Sequence, residues 1–302
     1  MRRRRVRLVL LAVVAVTGLS AGCAATPKVG DGAIGPDWAA FAEPKVPTPE
    51  SGGCRSGSAD LVEWDLPLFD STPVPCTNAH RSETYHVGTL SGTAASQVGP
   101  PDFGDEVYRA AYAGCAMEAT SFLGGDWHRA RVAVVPVLPS ERQWRGKARW
   151  YRCEMLEVKD AREAMAERSA SLRDGLLGSK PAALTCANDT LGDKDRANDN
   201  VIYVACSAPH TVELTGLYTP ADGKYPGATA AIDKALDACY VIGARYLGMT
   251  KSALDNRGGI QWIAWERGEA PWSIGDRSTR CYLGPYPAKK IKGSIKGRRP
   301  PF

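Results

Sequence analysis

The sequence predicts an α+β protein made of two tandem, disulfide-stapled modules, each an antiparallel sheet packed on one helix. Three repeated features carry this expectation. The pattern C-x3-H-x2-E occurs as CTNAHRSE from Cys76 to Glu83 and again as CSAPHTVE from Cys206 to Glu213. Nine cysteines are present; with Cys23 set aside, the others fall into two sets of four at similar gaps: Cys54, Cys76, Cys115, Cys153 and Cys186, Cys206, Cys239, Cys281. Each set closes on W-x4-R-x2-R-C, through Trp144, Arg149, Arg152, Cys153 and through Trp272, Arg277, Arg280, Cys281. Anchors recurring in one order mark a duplicated unit. A length of 302 residues predicts about two domains, and 44% hydrophobic against 24% charged residues is enough for a packed core.

Residues 1–22 read as an export signal. MRRRRVR is a basic start, and Leu8–Val16 is an apolar run too short for a bilayer span, which needs about 20 residues. Leu19-Ser20-Ala21-Gly22-Cys23 resembles a lipobox, so Cys23 is expected to carry diacylglycerol and to anchor the mature chain at the extracytoplasmic face of the cell membrane. Two acyl chains give stable anchoring where one is marginal. Residues 23–52, rich in Pro, Gly and Ala, are expected to form a flexible tether.

The first module is placed at 53–158 and the second at 181–286. In the second, Ile232, Ala235, Leu236, Cys239, Ile242 and Tyr246 share one helical face; in the first, Val107, Ala111, Cys115, Ala119 and Phe122 do the same. Phe122-Leu123-Gly124 matches Tyr246-Leu247-Gly248 at the helix ends. RVAVVPVL and GIQWIAWE, and the segments ending at Cys153 and Cys281, read as strands. NVIYVACSAPHTVELTGL reads as a strand on each side of a bend at Ser207-Ala208-Pro209. Each module is thus expected as β-β-α-β-β. Residues 159–180, rich in helix formers, are expected to form a connecting helix. Residues 287–302 are expected to be a disordered basic tail.

An exported chain meets an oxidising compartment, so the eight remaining cysteines are expected in disulfides. Four cysteines allow three pairings per module, and sequence alone does not choose. The favoured pattern is first-to-second and third-to-fourth: Cys54–Cys76, Cys115–Cys153, Cys186–Cys206 and Cys239–Cys281.

The formal charge of +5 misleads until it is located. Five arginines lie in residues 1–22, and six basic residues with no acid lie in Lys289–Phe302, leaving an acidic body and no basis for nucleic-acid binding. The basic tail is either a solvated end or a contact for anionic lipid headgroups or an anionic wall polymer. The pairs His80/Glu83 and His210/Glu213 have three readings. They could hold a metal, form the turn with the Glu pairing locally to Arg149 or Arg277, or recognise a partner. Metal is disfavoured because disulfides remove the thiolates and because His and Glu three apart on a strand face opposite sides. Arg149 and Arg277 could stack on Trp144 and Trp272. The other tryptophans are expected mainly as core filling, with a sugar-stacking platform as the alternative. No G-x-S-x-G, H-E-x-x-H or P-loop is found, so no catalytic residue and no cofactor is assigned.

CSAPHTVE, the Cys-bearing helix and WSIGDRSTRC resemble the septum-formation domain of actinobacterial membrane proteins and lipoproteins. The likeness is best over Thr185–Gly284. The first copy departs from it, with Ala79 where the second has Pro209 and Arg-Gly-Lys-Ala-Arg in place of Ser-Ile-Gly-Asp-Arg. The resemblance implies an envelope protein associated with division septa and carries over no catalytic residues. The expectation is a non-catalytic binding or scaffold lipoprotein whose partner is an envelope or division protein. The competing reading is a metal-dependent or enzymatic protein of wall metabolism built on the His–Glu pairs. A solute-binding lipoprotein finds no two-lobed α/β pattern.

Overall fold

Among the residues described by the computed structural model, 46–57, 72–190 and 199–302, ten strands form two five-stranded antiparallel sheets. In the first module, β1 (Gly53–Ser56), β2 (Thr72–Val74), β3 (Ser82–Thr89), β4 (Val132–Val137) and β5 (Trp150–Glu157) lie in the order β2-β1-β3-β5-β4. The second module has β6 (Cys186–Asp189), β7 (Val201–Val204), β8 (Val212–Tyr218), β9 (Ile260–Trp265) and β10 (Thr279–Pro285) in the order β7-β6-β8-β10-β9. Adding five to each strand number turns one sheet into the other, so the duplication is a duplication of topology. Both sheets also break register at the same place. The β3–β5 ladder shifts between Thr84 and His86, and the β8–β10 ladder steps from Gly216 to Leu214. The residue passed over, Tyr85 or Thr215, bonds a backbone carbonyl of a disulfide cysteine: Tyr85 Oη donates to Cys115 at 2.7 Å and Thr215 Oγ1 to Cys281 at 3.1 Å.

Short helices α1 (Gly92–Ser96) and α3 (Glu141–Arg145) flank the long helix α2 (Glu106–Leu123) of the first module; the second has α4 (Ala228–Tyr246), α5 (Lys251–Asp255) and α6 (Glu269–Ser273). The side chain of Asp105 caps α2 by accepting from Tyr108 N at 2.8 Å. Gly124 and Gly248, the matched glycines, have φ of 73° and 69° and end the two long helices in the left-handed conformation.

Each long helix is pinned to its sheet by a disulfide, Cys115–Cys153 or Cys239–Cys281, and Cys54–Cys76 and Cys186–Cys206 tie the first strand of each sheet to the turn before its third. On α2, Val107, Ala111, Cys115, Ala119 and Phe122 are buried against Val132, Val134 and Met155. The buried face of α4 is rotated from the expected one. Ala231, Ala235, Cys239, Tyr240, Gly243 and Ala244 are buried, whereas Ile232 is 41% exposed. Close approach sets this rotation: a Cβ on Gly243 would lie 2.8 Å from Leu283 Cδ1, so the helix sits on its smallest residues.

Three expectations are corrected. Each module has five strands and not four, because β1 and β6, only four residues each, carry no readable alternation. No helix forms over 159–180. Helix propensity there is a weak preference, and backbone pairing of Val158 with Met165, Asp160 with Ile202 and His80 with Arg168 overrides it. Residues 287–302 are not a loose tail: Ile295 is fully buried and Ile291 pairs with His210. The export signal, Cys23 and most of the tether lie outside the described residues; of the tether, Val46–Gly52 runs along the first sheet, with Gly52 N bonded to Thr84 O at 2.7 Å. Among the described residues no helix is long and apolar enough to cross a membrane.

Val46–Phe302 is one compact unit. The far face of the second sheet, opposite α4, carries Ala187, Tyr203, Leu214, Ile263 and Tyr282, and is covered by Ala133 of β4 with Val158, Ala161 and Leu184. Ile274 of the second module enters the core of the first.

Candidate functional site

The repeated His and Glu build the same device in both modules. The chain turns after the second cysteine, and His80 Nδ1 lies 2.8 Å from Asn78 O, as His210 Nδ1 lies 2.9 Å from Ala208 O. The backbone of each His then pairs with a segment that follows its own module. His80 exchanges two hydrogen bonds with Arg168, at 2.8 and 3.0 Å; His210 does so with Ile291, at 3.0 and 2.8 Å. Three residues on, the Glu takes hold. Glu83 accepts from Ser171 Oγ at 2.6 Å and Leu172 N at 2.8 Å; Glu213 accepts from Ser294 Oγ at 2.9 Å and Ile295 N at 2.7 Å. The serine hydroxyl also accepts from the residue two on, Arg173 N or Lys296 N. The repeat therefore extends further than the cysteines suggest. Each module ends in a strap, residues 168–173 or 291–296, locked by its His and Glu.

The two glutamates are 4% and 1% exposed, and carboxylates so buried are retained where donors satisfy them. The expected pairing of Glu83 and Glu213 with Arg149 and Arg277 is replaced by this lock. Arg149 instead stacks over Trp144, 3.8 Å from the ring centroid, and donates to Ala95 O at 2.7 Å and Trp144 O at 3.0 Å. Arg277 pairs with Asp222, and Trp272 Nε1 donates to Gly223 O at 2.8 Å. Cys54, Cys76 and Glu83, and equally Cys186, Cys206 and Glu213, bring potential ligand atoms within 4.8 Å of one another. Their sulfurs are joined in disulfides and their carboxylates are engaged by strap donors, so each cluster serves as a fastening.

A second polar cluster joins the modules. Arg280 is 6% exposed and donates to His128 O at 3.1 Å, Ala130 O at 3.2 Å and Tyr203 Oη at 2.8 Å. Beside it Arg267 pairs with Asp276 and with Glu163, and Asp276 also accepts from Ser278 Oγ at 2.7 Å. Burial alone would raise the Asp276 carboxyl, but Arg267 and the bonds from His128 and Ser278 hold it well below its usual range. Burial would lower His128, yet Asp126, 2.8 Å from Nδ1, and Asp276, 3.5 Å from Nε2, keep it raised above 6.5.

The same sheet face of the first module is open. Along β5, Cys153 points to α2, so Trp150, Arg152 and Glu154 point the other way. Trp150 and Arg152, with Arg55 from β1, line a groove of about 930 Å³. Pro47–Pro49 wall one side and Val137–Gln143 the other, with Pro100 and Pro101 at the end. Arg152 lies 2.6 Å from fully buried Glu154, which Thr84 Oγ1 also bonds at 2.6 Å; burial, with Arg55 nearby, lowers the guanidinium despite Glu154. Trp150 is 7% exposed, and its Nε1 has no hydrogen-bond partner among the described residues. The sequence singles out Trp144 and Arg149, offers Trp150 only among the tryptophans expected mainly as core filling, and gives no signal for Arg55. Strand alternation counted outward from Cys153 would have placed Trp150 and Arg152 on one face.

Trp144 and Trp150 are buried, whereas Trp262 is 39% exposed beside Tyr240, with ring centroids 4.5 Å apart. Core filling accounts for the first two and not for Trp262.

Compared with known families, residues 59–281 match the model described as "Septum formation", which covers both modules and not the second alone. No curated protein and no solved structure matches the chain.

Proposed function

The chain belongs to the septum formation family, and from that premise we propose that it is an exported lipoprotein that serves septum formation by binding a partner in the cell envelope, without catalysis. The observation that carries the binding role is the open groove on the first module. The histidines and glutamates that recur in the sequence are engaged in holding straps, whereas the largely buried Trp150 and Arg152, with Arg55, line the floor of a groove. The anchor is Cys23, whose thiol takes diacylglycerol before residues 1–22 are cut away, and the tether before Val46 gives the modules reach from the extracytoplasmic face of the membrane. The second strap offers a further contact: Lys289, Lys290, Lys292, Lys296, Arg298 and Arg299 are all exposed, suited to anionic headgroups or an anionic wall polymer.

The test is where a tagged chain sits in dividing cells, beside a Cys23→Ala version. Septal enrichment that needs Cys23 is expected. Uniform distribution would remove the septal role, and unchanged membrane association of Cys23→Ala would remove the lipid anchor. Near-stoichiometric zinc in purified protein, lost in a folded His80→Ala/His210→Ala variant, would favour the metal-dependent alternative.

A further inference from the structure

The two sheets share one topology, and one of them shows what its far face is for. Arg280 precedes the fourth cysteine of its module and Arg152 precedes the fourth cysteine of the other. In the second module that position is filled: the chain at His128–Ala130 lays two backbone carbonyls, two residues apart, on the Arg280 guanidinium. Ala133, Val158 and Ala161 cover the apolar residues beside it. In the first module the equivalent arginine lines a groove. We infer that this groove takes an extended polypeptide segment of a partner protein, gripped through its backbone carbonyls by Arg152 and Trp150.

Three features fit that occupant. Trp150 Nε1 is a buried donor with no partner among the described residues, and such a donor calls for a neutral acceptor such as a peptide carbonyl. Trp150 and Arg152 are two apart on one strand and so face the same way, matching the alternate carbonyls of an extended chain. Arg152 lies 2.6 Å from Glu154, with Arg55 Nε 3.7 Å from the same oxygen, so its charge already has an acidic neighbour and its outward N–H groups suit a neutral carbonyl. The proline-rich walls are stiff, which lowers the entropy lost on binding. In the second module the corresponding residues of that face are Ser278, Arg280 and Tyr282, and the polar set Arg55, Thr84 and Glu154 is replaced by Ala187, Leu214 and Tyr282. The first face thus satisfies its polar groups among themselves beneath a groove, and the second buries apolar ones against the first module.

This names the partner chemistry for the binding role proposed above and rests on it; an in vitro test lets the two fail separately. A display library of random short peptides is selected on the full disulfide-bonded protein, and the recovered peptides are measured against three variants. Trp150→Phe removes the indole N–H together with part of the ring, Val137→Arg fills the groove from β4, and Thr48→Arg fills it from the exposed opposite wall. The expected result is recovered peptides that bind one per chain, lose about three- to tenfold in affinity with Trp150→Phe, and fail to bind either arginine variant. Their affinity should change little with salt, because the contact proposed for Arg152 is to a neutral carbonyl and its charge is already paired with Glu154. Recovery of no binder would overturn the inference. So would binders indifferent to all three variants, or binders selected for negative charge and released by salt. Thr48 is exposed, so its variant keeps the test decisive should Val137→Arg fail to fold.

Discussion

Replacing Glu213 by Gln should release the strap of the second module. The carboxylate is 1% exposed and accepts three hydrogen bonds: Ile295 N to Oε1 at 2.7 Å, and Tyr246 Oη at 2.7 Å and Ser294 Oγ at 2.9 Å to Oε2. A glutamine keeps the shape but offers only one oxygen: an NH₂ at the Oε1 position faces the Ile295 N–H, and at the Oε2 position the Tyr246 and Ser294 hydroxyls lose their shared acceptor and must turn. The loss is at least one charge-assisted bond, about 1.5–3 kcal/mol, together with a buried donor left unmet, about 1–3 kcal/mol. A combined cost of about 3 kcal/mol corresponds to a fall in Tm of roughly 6–12 °C for a unit of this size. The strap should respond first. Amide exchange at His210 and Ile291, which bond each other at 2.8 and 3.0 Å, should accelerate, and trypsin should cut at Lys292 or Lys296 before the modules open. Glu83→Gln should do the same to residues 168–173. A Glu213→Gln protein with unchanged Tm and a protected strap would refute the reading of the repeated Glu as a fastener.

Arg280→Lys should cost about 1–3 kcal/mol in urea unfolding, because one ammonium group cannot reach His128 O, Ala130 O and Tyr203 Oη together, whereas Arg152→Lys at the equivalent open position should cost less than about 1 kcal/mol. The junction should also give stability a pH window. His128 has its folded pKa raised, so its contribution is complete below about 6.5 and is lost as pH rises through the folded value; Asp276 is held low, so its contribution is complete above about 3.9 and is lost as the pH falls. Urea midpoints measured across pH should therefore be highest between these limits, and His128→Gln should flatten the alkaline side and, because His128 helps hold Asp276 low, weaken the acid side as well. Gly284→Ala should prevent native pairing of β8 and β10, since its Cβ would lie 2.0 Å from Thr211 O; a native near-ultraviolet circular dichroism spectrum for that variant would contradict the register described.

Much of the fold was legible because duplication repeats every local instruction. Similar cysteine spacing, the helical stripe from Val107 to Phe122 and the glycines at 124 and 248 each report on neighbours in sequence, and short-range rules read them well. The straps were not legible by those rules. EMLEVKDAREAMAERSASLRDGLL has the composition of a helix, yet its Arg168 pairs with His80 and its Ser171 with Glu83, partners far away in the chain. The basic composition of residues 287–302 likewise hid Ile291 and Ile295, two apolar anchors spaced among lysines. Ser-Leu-Arg at 171–173 and Ser-Ile-Lys at 294–296 could have been matched as a fifth anchor of the repeat, but three residues are a weak signal without the contact that explains them.

The sequence by itself determined the two-module α+β architecture, the cysteines available for stapling and the residues that alternate across each sheet, because these depend on the local geometry of helix and strand. It also placed an arginine before the last cysteine of both modules. Only the tertiary structure decided that Arg280 is closed over by the first module while Arg152 opens on a groove. That difference lies in which faces meet. The apolar Ala187, Leu214 and Tyr282 gain by leaving water against the first module, whereas Thr84 and Glu154 are buried by bonding each other and Arg152, and such a comparison exists only once the strands have brought those residues together.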